Sequence, residues 1–147
     1  MALKLDMSKA YDRLEWDFLE AMMRKLGFAD RWVRLLMTCV RIVTYAILIN
    51  GQPHGHIVPS RGIRQGDPLS PYLFIICAEA LSSMLNHAVG LGKIYGVPIC
   101  RGGTRINHLF FADDSLLFGR ANLEEWRQIK DILDVYERAS GQKVNIE

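Results

Sequence analysis

The chain has 147 residues, half of them hydrophobic, with 18 Lys+Arg against 16 Asp+Glu for a formal net charge of +2. A chain of this size can bury on the order of 70% of the surface its unfolded form exposes, so disordered, collagen-like and disulfide-scaffold classes are excluded. So small a net charge cannot hold a polyanion by its field alone; such a partner needs local basic loops or bound metal.

Residues 1–7 alternate like a half-buried strand and run into a polar turn at Ser8 and Lys9, which leaves Asp6 near the strand's end. Phe18, Leu19, Met22, Met23 and Leu26 share one helical face with Gly27 as a stop, and a second helix is expected over about 31–43 with Asp30 as its cap. Residues 43–50 are rich in β-branched and aromatic types and end at Asn50-Gly51, the strongest hairpin signal in the chain, with a return strand near 56–58. The loop over 59–66 meets Asp67-Pro68, read as cap and first position of a largely buried helix that runs to about Ala88.

Two apolar strand-like runs follow, 106–112 and 115–118, separated by Asp113-Asp114, so the hairpin carries two acids at its tip. Leu123, Trp126, Ile129, Ile132, Leu133 and Tyr136 form a helical stripe closed by Gly141, before a last short strand at 143–146. Strands drawn from distant parts of the chain, with helices between them, predict an α+β fold: an antiparallel sheet with helices packed on one face and the other face free for a ligand.

Cys39, Cys77 and Cys100 lie far apart with no C-x-x-C pair, which suits a reducing compartment, and all three are expected as buried small hydrophobes. Lys4 and Asp6 interrupt any signal-peptide core, and Glu79 with several polar residues interrupts the longest apolar stretch, so neither a leader nor a membrane span is read. His54 and His56 lack further ligands and read as hairpin surface, whereas His108 reads as buried and hydrogen-bonded.

The chemistry concentrates in carboxylates. Asp113-Asp114 alone is an ordinary turn pair. Asp6, also at a strand's end, changes that balance, because two metal ions about 4 Å apart need convergent oxygen ligands from separate segments. Neighbours in a regular strand point to opposite faces, so Asp113 and Asp114 can serve one site only if the tip departs from strand geometry. The segment Arg61-Gly-Ile-Arg-Gln-Gly-Asp-Pro-Leu-Ser-Pro71 adds glycines that admit close backbone approach and arginines that meet phosphates.

At these residues the chain resembles a known family. Leu3-Lys-Leu-Asp-Met-Ser-Lys-Ala-Tyr-Asp12, Arg61-Gly-Ile-Arg-Gln-Gly-Asp-Pro-Leu-Ser-Pro-Tyr-Leu-Phe74 and Phe111-Ala-Asp-Asp114 look like motifs A, B and C of a reverse transcriptase, and Ser140-Gly-Gln-Lys-Val-Asn-Ile146 resembles part of motif D. The likeness is to non-LTR (LINE-type) retrotransposons, particularly the plant kind, and spans essentially all of residues 1–147. It implies a polymerase palm that adds dNTPs to a DNA primer on an RNA template through two Mg²⁺ ions, with Mn²⁺ as an alternative.

The resemblance makes Asp6, Asp113 and Asp114 the catalytic metal ligands. Met7, Ser8, Lys9, Ala10, Tyr11, Gln65 and Gly66 become nucleotide-binding residues. Tyr11 falls where the family places a bulky sugar gate against a 2′-hydroxyl, and Lys143 is a candidate proton donor. Ser70 and Pro71 would shape a helix start, while Asp12 and Asp67 would be structural. The resemblance also implies intracellular action, nuclear or cytoplasmic, with nuclear DNA the target by family analogy. The fingers and thumb that orient substrates in the family are not recognised in these residues, so the isolated 147 residues are expected to be inactive without them. The alternatives are a retrotransposon-derived fragment that at most binds nucleic acid, and an RNA-dependent RNA polymerase palm, which would not need a bulky Tyr11.

Overall fold

The computed structural model describes residues 1–112 and 114–146, and of Ile146 the backbone only. In chain order the elements are β1 (Ala2–Met7), α1 (Ala10–Arg13), α2 (Trp16–Lys25), α3 (Asp30–Arg41), β2 (Tyr45–Ile49), β3 (Gln52–Ile57) and α4 (Ser70–Gly90). There follow β4 (Val97–Pro98), β5 (Arg105–Ile106), β6 (His108–Phe111), β7 (Asp114–Phe118), α5 (Leu123–Ser140) and β8 (Val144–Ile146).

The main sheet has four strands in the order β6-β7-β1-β8, and every neighbouring pair is antiparallel. Period-two alternation sorts its residues: Leu5 and Met7 of β1 and Leu117 of β7 are buried, whereas Lys4, Asp114 and Leu116 face outward and are exposed. The buried face meets α2, α4 and α5, which also pack on one another. Leu19 and Met23 come from α2, Leu73, Cys77, Leu81 and Leu85 from α4, and Ile129, Leu133 and Tyr136 from α5. Their spacings of three and four residues are the stripe that a helix must bury. The α+β fold read from the sequence is the fold observed.

Several boundaries differ. The helix after the basic loop starts at Ser70, not at Asp67-Pro68, and Pro71 holds its second position. Asp67 instead accepts a hydrogen bond from the Leu69 N–H at 2.9 Å and pairs with Arg64 at 3.1 Å, so it caps the turn before the helix. Asp30 is the first residue of α3 rather than its cap. Asn50 and Gly51 both take positive φ, as a two-residue primed turn requires, and the return strand therefore begins at once at Gln52. The four-residue α1 and the β4–β5 pair had no periodic signal strong enough to announce them.

Cys77 is buried, with its thiol pushed up to about 12 by desolvation, but Cys39 and Cys100 are exposed. By length and composition α4 would suffice to cross a membrane, the span the sequence reading set aside. Here its buried stripe is packed on α2 and α5 as a core helix.

Candidate active site

Because β1 commits Leu5 and Met7 to the core, Asp6 must lie on the opposite face. Strand β7 runs antiparallel beside it in a register that sets Asp114 directly across from Asp6. Like charges at facing positions repel. Lys4, two residues before Asp6 and on the same face, offsets this by placing its Nζ 3.6 Å from Asp114 Oδ1. On the other side Asn145 of β8 donates from Nδ2 to Asp6 Oδ2 at 3.4 Å. Sequence reasoning gave neither Lys4 nor Asn145 a place in the site; only the register reveals it.

Phe111 pairs with Asp114, so Ala112 and Asp113 stand between β6 and β7, and Asp113 lies outside the described residues. Ala112 takes a φ of +52°, so the chain does leave strand geometry at the tip. Among the described residues no group of three or more metal-ligating side chains forms, and the carboxylates brought together are Asp6 and Asp114. Two hard oxygen donors on an open face, held against mutual repulsion by a cation, suit a divalent metal ion.

The second half of the site is assembled by a loop. Lys9 adopts a left-handed conformation (φ 52°) and opens α1. The basic loop is then laced onto the segment that follows: the Gly62 N–H donates to the Leu14 carbonyl and the Ile63 N–H to the Tyr11 carbonyl, both at 2.8 Å. The Trp16 Nε1–H donates to the Gly62 carbonyl at 2.7 Å. Gly62 has to be glycine here, since its φ is +85° and a Cβ would sit 2.8 Å from the Asp12 carbonyl oxygen. This lacing brings Gln65 beside the β1–α1 turn, where Lys9, Ala10, Tyr11, Gln65 and Ala112 line an open pocket of about 390 Å³.

Four of the seven residues read as nucleotide-binding therefore converge: Lys9, Ala10, Tyr11 and Gln65. The Tyr11 ring is half-buried and rests on Phe74 of α4, with centroids 5.4 Å apart, so it is a firm wall. Gly66 is exposed next to the pocket without lining it, and Ser8 is half-buried, its N–H donating to the Lys143 carbonyl at 3.0 Å. The Met7 side chain is 2% exposed and belongs to the core, because strand alternation sends it to the face opposite Asp6, so it does not line the pocket. The Lys143 side chain is exposed, and its backbone sits beside Ser8 where β8 meets β1.

His108 is hydrogen-bonded, as read, but only half-buried rather than buried, with Nε2 3.1 Å from Ser82 Oγ and Nδ1 hydrogen-bonded to Asn107. Desolvation holds its pKa below the ordinary 6.5. His54 and His56 are exposed on β3. Sequence reasoning missed Glu125, which is 2% exposed and accepts from the backbone N–H groups of Tyr95 and Arg120 at 3.3 and 3.0 Å. A signal existed: Asn122 caps α5 by accepting from the Glu125 N–H at 2.8 Å, and Asn-x-x-Glu is capping-box spacing.

Comparison with known proteins agrees with this architecture. Residues 1–147 match the reverse transcriptase (RNA-dependent DNA polymerase) family, and the chain belongs to it. It is 54% identical over 68 residues to an uncharacterized mitochondrial protein of Arabidopsis thaliana, a match covering 46% of this chain and 56% of that one. It is 29% identical over 145 residues to a retrovirus-related Pol polyprotein from a type-1 retrotransposable element R2 of Popillia japonica, covering 99% of this chain and 23% of the polyprotein. The chain thus spans from under a quarter to little more than half of these relatives. Telomerase from Candida tropicalis, solved with a TWJ fragment of telomeric RNA, shares the fold with a TM-score of 0.71 at 14% identity, over 98% of this chain and 24% of that one.

Proposed function

We propose that this chain is the palm of an RNA-directed DNA polymerase of the non-LTR retrotransposon type, which joins dNTPs to a DNA primer on an RNA template by the two-metal route. The observation that carries the reading is Asp6 facing Asp114 across β1 and β7, on the open face and at the end of the sheet where the pocket of Lys9, Tyr11 and Gln65 forms. Asp6, Asp113 and Asp114 would hold two Mg²⁺ ions. What the ions supply when bound is a more acidic primer 3′-hydroxyl and charge stabilisation of the departing pyrophosphate.

The chain's own residues supply the rest. Lys9 offers a cation at the mouth of the pocket for the triphosphate. Gln65 contributes hydrogen-bonding capacity beside the incoming base, and Tyr11, braced by Phe74, closes the space that a 2′-hydroxyl would occupy. Lys143, beside Ser8, is the proposed proton donor to the leaving group. Fingers and thumb would orient both substrates, and a nuclear site of action belongs to the same proposal.

Primer extension on an RNA template with dNTPs and Mg²⁺ tests the reading, with residues 1–147 joined to the fingers and thumb of a family member and compared to the Asp6→Asn and Asp113→Asn forms at equal circular dichroism. Extension that both substitutions abolish is the expected result, and Tyr11→Ala should then admit ribonucleotides. Absence of extension from the folded, completed chain overturns the polymerase reading and favours a nucleic-acid-binding fragment.

A further inference from the structure

The corner where α2 turns into α3 has an uneven charge account. Every acid on these two helices is engaged: Asp17 and Glu20 with Arg41, Glu20 also with Arg24, and Arg24 with Asp30. Lys25, Arg31 and Arg34 are exposed and make no ion pair among the described residues, so the unpaired charges of the corner are all positive. Among them stands Trp32, 58% exposed although α3 buries Val33, Met37 and Val40 with its other face.

Unpaired guanidinium groups interleaved with an exposed indole fit one kind of occupant particularly well, a single strand whose phosphates meet the cations while a base stacks on the ring. Arg31 and Arg34 are three residues apart and therefore neighbours on the surface of α3. The surface also leads somewhere. Trp32, Leu35 and Cys39 succeed one another at helical spacing, and Cys39 lines a cavity shared with Gly62, Ile63 and Arg64 of the loop that carries Gln65 to the nucleotide pocket.

We propose that the exposed face of α3, from Arg31 through Trp32 and Arg34 to Cys39, is a track for single-stranded RNA that delivers the unpaired template to the pocket. The track rests on the polymerase reading, but RNA binding is separable from synthesis. The test is fluorescence anisotropy of a labelled 12-nucleotide oligouridylate with the 147-residue chain in EDTA, so that neither metal nor dNTP takes part.

The double variant Arg31→Glu/Arg34→Glu should bind roughly tenfold or more weakly, with a salt dependence shallower by about 1.4 in log K against log salt, which is two phosphate contacts on a single strand. Trp32→Ala should weaken binding roughly tenfold at unchanged salt slope. The control Arg127→Glu/Lys130→Glu, which makes the same charge change on α5, should bind like the wild type. The track is overturned if the wild type does not bind, if the Arg31/Arg34 variant binds equally, or if the α5 control loses as much. It is also overturned if poly-glutamate binds as tightly and is lost by the same substitutions, which would assign the face to an acidic protein segment. Absence of primer extension when fingers and thumb are supplied, in a chain that still follows the expected RNA pattern, overturns the polymerase reading alone.

Discussion

Strands β1 and β2 look alike as strings, both short, apolar and followed by a turn, yet they end in opposite circumstances. β1 lies between β7 and β8 and divides its residues cleanly, Leu5 and Met7 inside, Lys4 on the open face. β2 pairs only with β3, and Ile47, Leu48 and Ile49 are 59%, 70% and 53% exposed. Alternation specifies a strand's two faces only where a core waits on one of them; a two-stranded ribbon without a layer against it has no inside. The polar residues of β1 are consequently the informative ones, and the apolar residues of β2 mark surface.

The comparison can be broken most forcefully at Leu5. Leu5→Ala should cost about 2–5 kcal/mol in chemical denaturation, since the side chain is fully buried. Next comes Gly62→Ala, which combines a positive φ with a close approach to the Asp12 carbonyl and should cost on the order of 2–3 kcal/mol, with loss of the nucleotide pocket before the sheet.

A smaller effect belongs to His108. Its pKa is depressed in the fold, so the unfolded chain binds the proton first as pH falls below about 6.5, and stability declines from there downward. Urea midpoints at pH 7.5 and 5.5 should differ more for the wild type than for His108→Gln. At the bottom of the scale, Leu48→Thr on β2 should change stability by less than about 0.5 kcal/mol. A cost near that of Leu5→Ala would show that the hairpin has a buried face after all.

The contrast also explains what was legible from residues alone. The order of elements, the open face and the convergence of Lys9, Tyr11 and Gln65 could be read because periodicity and motif spacing are local properties of the string. The burial of the Met7 side chain could not be read from the motif, because a motif names neighbours in sequence, while strand geometry sends neighbours to opposite faces. The places of Lys4 and Asn145 in the site were invisible because they depend on cross-strand register. The start of α4 was misplaced because Asp67-Pro68 is a sound helix signal that the side chain of Asp67 spends on the turn before the helix. Asp113, central to the proposed chemistry, lies outside the described residues.

The lacing of Gly62 and Ile63 to Leu14, Tyr11 and Trp16 carries a consequence for motion. These amides belong to a loop without regular structure, where rapid exchange with solvent is the rule. Each is nonetheless tied to a backbone carbonyl some fifty residues earlier, so neither can exchange until the two segments part. Parting them also takes Gln65 away from Tyr11. The exchange rate of two loop amides is thus a clock for how long the nucleotide pocket stays assembled.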